Sequence, residues 1–152
     1  SLIAEEEAIR VESWIAEAAR SGARLVCGGG RKRATVEPTI LADTPASTRI
    51  SCQEAFGPVV TANRYATLAD AIRMVNDSVY GLQAGIFTNN LERAFQAALE
   101  FEVGGVIIND VPMFRADHMP YGGVKDSGLG REGGTEGLHH YRVVKTVSLA
   151  FD

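Results

Sequence analysis

Seven of the sixteen glycines lie between Gly122 and Gly137, and three of them, Gly128, Gly130 and Gly133, satisfy the GxGxxG pattern of dinucleotide-binding turns. That pattern holds a pyrophosphate where it follows a strand and opens a helix, with an acidic residue about 20 positions further on. The sequence predicts no strand before these glycines and offers no such acidic residue. We therefore interpret them as positions where the backbone turns tightly or approaches another surface closely.

The two cysteines, Cys27 and Cys52, are the candidate nucleophiles. A catalytic thiol needs a neighbouring base or a helix N-terminus to favour the thiolate, and the local sequence supplies neither. We predict that Cys27 is a small buried packing residue and that neither cysteine is catalytic. The cysteines are also too few and too far apart for a disulfide scaffold or a CxxC zinc site, which favours a reducing, cytoplasmic compartment.

The remaining composition excludes several function classes. The three histidines, His118, His139 and His140, have no metal-ligand spacing, so we expect no metal site. The formal charge of −4 argues against nucleic-acid binding, and no apolar run reaches the ~18 residues of a membrane span. With 152 residues, 45% of them hydrophobic, the chain is expected to be one soluble domain or a piece of a larger one.

Apolar periodicity predicts alternating elements. A first helix is indicated by apolar residues at i, i+3, i+4 and i+7 from Val11, and two strands follow at residues 24–27 and 35–41. Further along, predicted strands at 59–65, 85–88 and 106–109 alternate with helices that begin after Thr67 and after Asn89 or Asn90. This order predicts an α/β fold with a parallel-type sheet and flanking helices, in which strand 106–109 is buried on both faces.

The periodicity ends at Val111. Residues 111–137 form a long loop rich in glycine, proline and charge, and loops of this length are usually functional or disordered. A helical turn is predicted within residues 127–141. Residues 142–152 then alternate as an apolar strand without a partner in the sequence, which we expect to pair with a second copy of the chain in a homo-oligomer.

Four motifs follow one another along the chain: QEAFGPVV at residues 53–60, NDSVYGLQAGIFT at 76–88, GGVIIND at 104–110 and MPYGGVKDSGLGREGG at 119–134. In this order they resemble the C-terminal part of the NAD(P)-dependent aldehyde dehydrogenase superfamily. GARLVCGG at 22–29 and EPTIL at 37–41 are similar to the family's usual lead-in to the first motif. The resemblance covers nearly the whole chain, and motifs in this order are together highly specific.

The resemblance implies a fragment of the catalytic, aldehyde-binding domain over residues 1–141, followed by an oligomerisation strand over 142–152. It implies an intact enzyme that oxidises an aldehyde to a carboxylic acid by cysteine attack, hydride transfer to NAD or NADP, and thioester hydrolysis. The family's nucleophilic cysteine, general-base glutamate and nucleotide-binding domain would lie upstream of Ser1, in the rest of the same polypeptide. The isolated chain is then expected to be inactive.

The first motif supplies the cofactor contacts that the family implies. Glu54 matches the glutamate that holds the nicotinamide-ribose hydroxyls, and a carboxylate can accept two hydrogen bonds from a vicinal diol. The residues alone would equally suit a solvated loop glutamate. Phe56 matches the residue that packs near the nicotinamide ring, with an ordinary core aromatic as the alternative. Gln53 departs from the family's usual glutamate.

The later motifs supply residues of the aldehyde pocket. Asn109 matches an asparagine that braces loops near the catalytic cysteine, and Phe114 occupies the place of an aromatic that lines the pocket. Glu132 matches a glutamate proposed to join a proton path, although an ion pair with Arg131 or another surface residue explains it equally well. Lys125 and Ser127 are interpreted as structural, together with Arg131.

Arg115 and His118 suggest the substrate. A pocket for an anionic aldehyde needs a fixed cation, and the planar guanidinium suits carboxylate, phosphate or phosphonate. Members of the family that act on phosphorylated or acidic aldehydes carry an arginine in this region. In an alternative register, Phe114 aligns with that family arginine and Arg115 lies one position away. The alternative for Arg115 is a charge at the rim of the protein or at a subunit contact.

The sequence is also compatible with a second function. A fold does not fix an activity, so the chain could instead be a non-catalytic interaction or oligomerisation module derived from the same fold. The sequence upstream of Ser1 discriminates the two, because only the enzyme requires the cysteine and glutamate motifs there.

Overall fold

The computed structural model describes residues 1–150, and their contacts divide the chain into two units, with the boundary between Ala66 and Thr67. The amino-acid sequence does not predict this boundary. The first unit contains two helices and five strands: α1 (Glu5–Arg20), β1 (Arg24–Cys27), β2 (Arg31–Lys32), β3 (Thr35–Val36), β4 (Thr39–Ala42), α2 (Arg49–Cys52) and β5 (Val59–Ala62).

Helix α1 provides most of the core of the first unit. Its apolar residues recur at helical spacing, so one face buries Ala8, Val11, Trp14, Ile15 and Ala18. Three glutamates occupy the first turn, where negative charge complements the helix dipole. The sequence prediction of this helix is confirmed.

The sheet of the first unit has the order β1-β4-β5. Strand β4 is antiparallel to β1 and parallel to β5, and its Leu41 is fully buried against the α1 face. The turn before β4 depends on Gly28, which has φ +71° and whose missing Cβ would lie 2.1 Å from the carbonyl oxygen of Pro38. The predicted strand at 24–27 is confirmed, whereas the predicted strand at 35–41 is divided into β3 and β4.

Surface ion pairs attach flanking residues to α1. Arg31 donates from Nε to Glu12 at 2.7 Å, and this hydrogen bond raises the pKa of Arg31. Arg49 pairs with Glu17, and its hydrogen bond to that carboxylate lowers the pKa of Glu17. These pairs link α1 to β2 and α2.

Within its described residues, 67–150, the second unit contains three helices and four strands: α3 (Leu68–Asn76), β6 (Tyr80–Gly81), β7 (Gln83–Ile86), α4 (Leu91–Glu100), β8 (Gly105–Ile108), β9 (Val124–Lys125) and α5 (Gly134–His140). Strands β7 and β8 are parallel and are connected through α4, as the predicted strand–helix–strand order requires. Strand β5, by contrast, pairs with β4 and not with β7, so the parallel pairing is predicted correctly only for β7 and β8. The α/β class is confirmed.

Side-chain caps fix where α3 and α4 begin. Thr67 and Asp70 form a capping box at the start of α3, and Asn90 accepts a hydrogen bond from the backbone N–H of Arg93 at 2.9 Å at the start of α4. The C-terminal ends of α3 and α4 are connected through the side chain of Asn76. It donates a hydrogen bond to the Glu100 carbonyl at 2.7 Å and accepts one from the Glu102 N–H at 2.9 Å. The predicted cap at Thr67 is confirmed, and of the two predicted candidates, Asn89 and Asn90, Asn90 caps α4.

Three expectations from the sequence are corrected. Strand β8 is not buried on both faces, because Ile107 is 8% exposed and Ile108 is 45% exposed. Cys27 is exposed, so it is not a buried packing residue. A two-residue strand, β9, does precede Gly128, but it pairs antiparallel with β6 and therefore does not build the parallel unit of a dinucleotide-binding turn.

The C-terminal segment has no hydrogen-bonded strand within residues 142–150, and its apolar side chains are largely exposed. A strand requires a partner, so its assignment to an intermolecular sheet stays a prediction. Phe151, the last apolar residue of that predicted strand, lies outside the described residues. Among residues 1–150, no helix combines the length and the apolar character needed to cross a membrane.

Replacing Leu41 tests the core of the first unit. Because Leu41 is fully buried, Leu41→Ala should lower the free energy of unfolding by about 2–5 kcal/mol, measured by denaturant titration. The matched control is Ile40→Ala on the opposite face of the same strand, where the side chain is 39% exposed and the loss should be smaller. Equal losses would contradict this assignment of the core.

The capping box of α3 predicts a pH dependence. The hydrogen bond from Thr67 holds the pKa of Asp70 below its ordinary value of 3.8, with Arg73 acting in the same direction. The resulting stabilisation is complete above that value and disappears as the pH falls through the lowered pKa. Asp70→Asn should therefore lower Tm at neutral pH, and the difference from the wild type should vanish in acid. Asp77→Asn, at the C-cap of α3 and outside the capping box, is the matched control and should not lower Tm at neutral pH, because a carboxylate is not favoured at a helix C-terminus.

Candidate functional site

The loop before β5 presents Glu54 and Phe56 to solvent in the first unit. Phe56 has φ +46° and is 76% exposed, so it is not a core aromatic. A bulky residue in the left-handed region is strained, and such strain is concentrated at ligand-binding and active sites. Glu54 is also exposed, so its carboxylate is accessible to a ligand.

Helix α1 contacts the backbone of this loop and holds it in place. Arg10 donates from Nη2 to the carbonyl of Ala55, between Glu54 and Phe56, at 3.0 Å. The guanidinium of Arg10 also lies 4.5 Å from the centre of the Trp14 ring and donates to Glu7. The backbone between the two candidate cofactor residues is therefore attached to the most buried helix of the unit.

Gly57 allows the same loop to approach α1 closely. A Cβ at this position would lie 3.1 Å from a methyl group of Val11, which is itself fully buried. A larger residue would push the loop away from the helix. The glycine in the sequence QEAFGPVV thus determines the distance between the Phe56 turn and the core.

A cleft of about 400 Å³ lies in the second unit beside the first residues of the aperiodic loop 111–137. It is lined by Leu82, Gln83, Pro112, Met113, Arg115 and Tyr121. Four of these side chains are apolar or aromatic, Gln83 contributes an amide, and Arg115 contributes the positive charge. The cleft can accept a small molecule with an apolar body and an anionic end.

Arg115 is held by two side chains. Its guanidinium carbon lies 4.1 Å from the centre of the Tyr121 ring, and its Nη2 lies 3.6 Å from Oε2 of Glu132. Tyr121 and Glu132 are themselves paired through their backbones in an isolated antiparallel bridge. The structure shows Glu132 in an ion pair whose partner is Arg115 and not Arg131, and its place in a proton path stays a prediction.

Phe114 and His118 lie nearby without lining this cleft. Phe114 is 47% exposed, and its neighbours Met113 and Arg115 line the cleft in its place. His118 is exposed, and its backbone passes close to Gly134. Their assignment to substrate binding stays a prediction.

Asn109 braces the ends of the parallel strands. Its Oδ1 accepts a hydrogen bond from the backbone N–H of Thr88 at 2.8 Å, and its own N–H donates to the carbonyl of Ile86 at 2.8 Å. Asn109 has φ +62°, a region that asparagine tolerates better than most residues. The contact connects the segment after β8 to the segment after β7.

The motif residues interpreted as structural do make structural contacts. Lys125 donates to the carbonyls of Asn76 and Ser78, and Ser127 accepts from the N–H of Gly81 at 3.0 Å. Arg131 donates to the carbonyls of Gly123 and Gly130, each at 2.8 Å. The Lys125 and Ser127 contacts attach the glycine-rich segment to residues 76–81, and the Arg131 contacts close that segment on itself.

The GxGxxG glycines adopt conformations that favour glycine. Gly128, Gly130 and Gly133 have φ of +114°, +77° and +93°. Positive φ agrees with their interpretation as tight turns. Within residues 1–150, no cluster of three histidine, cysteine or acidic side chains is arranged to hold a metal ion.

Sequence reasoning missed Tyr121 and Arg10 as parts of these sites. Tyr121 stands in the motif MPYGG, but nothing in that motif indicates that its ring meets an arginine six residues earlier. Arg10 belongs to the polar residues of an amphipathic helix, whose contact with Ala55 spans 45 positions. No local signal could have revealed either contact.

Comparison with known proteins identifies the relatives of the chain. The sequence profile of the aldehyde dehydrogenase family matches residues 1–147. A 3-sulfolactaldehyde dehydrogenase of Priestia aryabhattai is 52% identical over 128 residues, which are 84% of this chain and 27% of that relative. The chain thus spans about a quarter of the length of this curated relative.

Solved structures of similar sequence agree with the fold. Aldehyde dehydrogenase 21 from Physcomitrella patens, in complex with the reaction product succinate, superposes with a TM-score of 0.85 at 47% identity, over 87% of this chain and 27% of that one. A glyceraldehyde-3-phosphate dehydrogenase from Methanocaldococcus jannaschii, complexed with NADP, superposes with a TM-score of 0.82 at 42% identity, over 87% and 28% of the two chains.

Proposed function

The chain belongs to the aldehyde dehydrogenase family, and from this premise we propose that it forms part of an NAD- or NADP-dependent enzyme that oxidises an anionic aldehyde to a carboxylic acid. The observation that supports an anionic substrate is that the guanidinium of Arg115 lines the cleft in the second unit. The alternative of a non-catalytic module predicts no need for such a cation beside a cleft.

The names of the three relatives described above support an anionic substrate. Sulfolactaldehyde carries a sulfonate, succinate carries carboxylates and glyceraldehyde-3-phosphate carries a phosphate. Arginine presents several N–H donors in a plane and matches the paired oxygens of each of these groups. Leu82, Pro112 and Met113 supply the apolar contacts for the carbon chain of the substrate.

Glu54 and Phe56 fit the nicotinamide end of the cofactor. The exposed Glu54 carboxylate can accept hydrogen bonds from both ribose hydroxyls, and the exposed Phe56 ring offers an apolar surface to the nicotinamide. When bound, the dinucleotide supplies the hydride acceptor. The part of this chain is to orient the ribose, and the Arg10 contact with Ala55 keeps the carboxylate in place for that task.

The nucleophilic cysteine and the general base come, in this proposal, from the rest of the same polypeptide. Neither Cys27 nor Cys52 lies in a segment that resembles the family's nucleophile motif. We propose a reducing, cytoplasmic compartment, because the two cysteines are too few and too far apart in the sequence for a disulfide scaffold. Asn109 acts as a brace for the loops that follow β7 and β8.

The exposed apolar residues of the C-terminal segment are proposed to pair with a second copy of the chain. Val143, Val144, Val147 and Leu149 are between 73% and 95% exposed. Such a segment is stabilised when another sheet edge covers it, since its backbone and its apolar side chains are then both satisfied.

The role of Arg115 is tested by substrate selectivity in the full-length enzyme. Arg115→Ala should lower kcat/KM for an anionic aldehyde. The corresponding loss of transition-state stabilisation should be about 1.5–3 kcal/mol, the scale of one hydrogen bond to a charged group. A neutral aldehyde of similar size should be affected much less. Arg93→Ala removes an exposed guanidinium from α4 of the same unit and serves as the control. Equal losses for the two aldehydes with Arg115→Ala would contradict the anionic substrate.

The role of Glu54 is tested by the rate of hydride transfer. Glu54→Gln keeps the shape of the side chain but weakens its contact with the ribose diol, so the nicotinamide is held less firmly. Single-turnover measurements on the full-length enzyme should show slower hydride transfer, while Gln53→Ala, at the exposed neighbouring residue, should leave the rate unchanged. An unchanged rate in Glu54→Gln would show that Glu54 does not hold the ribose.

A further inference from the structure

Tyr121 and Glu132 both reach Arg115, and we propose that they determine the enzyme's selectivity for anionic aldehydes by acting through that guanidinium. Tyr121 fixes its orientation, and Glu132 is the internal carboxylate with which a substrate anion competes. This inference rests on the proposed function, because it presumes that Arg115 binds the anionic group. Both are positioning residues, since neither needs to contact the substrate for the effect.

The backbone brings these two side chains to the same place. The N–H of Glu132 donates to the carbonyl of Tyr121 at 2.7 Å, and the N–H of Tyr121 donates to the carbonyl of Glu132 at 2.9 Å. Residues opposite each other in an antiparallel pair project to the same face. Arg115 reaches that face from the loop and meets both the ring and the carboxylate.

The Tyr121 ring decides where the guanidinium can lie. At 4.1 Å from the ring centre, the planar cation is attracted to the ring's negative face and loses part of its rotational freedom. A free arginine side chain would lose that freedom only when the substrate binds, at the expense of affinity. Because Tyr121 also lines the cleft, it holds the guanidinium at the wall that the anion would approach.

Glu132 has the opposite effect from Tyr121, because it weakens the binding of an anion to Arg115. Its carboxylate oxygen lies 3.6 Å from Nη2 of Arg115, which is too far for a hydrogen bond and leaves the N–H donors available. The pair is largely exposed, so it adds little to stability. Its negative charge nevertheless opposes a second anion at the same guanidinium. Removing this charge should strengthen the binding of anionic substrates.

The test compares an anionic and a neutral aldehyde of similar size in the full-length enzyme. Tyr121→Leu removes the ring and should reduce the anionic-to-neutral ratio of kcat/KM by about two- to fivefold, the range of an exposed cation–π contact. Tyr121→Phe keeps the ring face and should preserve the ratio. If Tyr121→Leu does not fold, as judged by its Tm, Tyr121→Met provides the same comparison with a longer flexible side chain.

Glu132→Gln supplies an independent readout because it keeps the size of the side chain. It should lower KM for the anionic aldehyde by about two- to fivefold and leave KM for the neutral aldehyde unchanged, the range for an exposed ion pair. If Glu132 instead passed protons to the active site, kcat would fall for both aldehydes. That result would overturn the assignment of Glu132 as a counterion.

Arg115→Ala separates this inference from the proposed function. If Arg115→Ala affects both aldehydes equally, the anionic substrate is wrong, and this inference falls with it. If Arg115→Ala is selective while Tyr121→Leu retains the wild-type ratio, Arg115 binds the anion and the positioning role of Tyr121 is wrong. In the Arg115→Ala background, Tyr121→Leu and Glu132→Gln should lose their selective effects, and persistent effects would overturn the claim that they act through Arg115.

Discussion

The packing of α1 against the loop before β5 is the constraint on which the first unit depends. Val11 fills the space that Gly57 leaves open, and Arg10 binds the carbonyl of Ala55. A helix is stabilised mainly by burying its apolar face, so the energy that forms α1 also fixes this loop. The strained backbone of Phe56 is maintained because the residues on either side of it are held by the helix.

The Arg115 cluster is built on a different principle. Its members are partly exposed, and an exposed ion pair contributes little to folding. The cluster holds the Arg115 guanidinium facing the cleft before any ligand binds. The side chain therefore loses less conformational freedom when an anion binds. Its energetic effect is therefore expected in the ratio of reaction rates for two substrates and not in the melting temperature.

The sequence predicts best the features whose causes are local. The periodicity of α1 and the caps at Thr67 and Asn90 depend on residues within one or two helical turns, and all were predicted correctly. The pairing of β5 with β4, the exposure of Cys27 and the contact between Arg115 and Tyr121 depend on residues brought together by the fold. Glu54 and Arg115 were identified only because their motifs resemble a family, since an exposed glutamate or arginine alone indicates nothing.

The contrast between the two sites has a consequence for how substrate preference can change. A substitution at Arg10 or Gly57 disturbs a contact with the core, so the Glu54 loop can vary little without cost to the fold. Arg115 lies in an aperiodic surface segment, where replacements are tolerated more readily. Exchanging Arg115 for a neutral residue would remove the proposed preference for anions and leave the burial of α1 and Leu41 unchanged. Selectivity for the substrate can thus diverge within this fold while the contact proposed for the cofactor is kept.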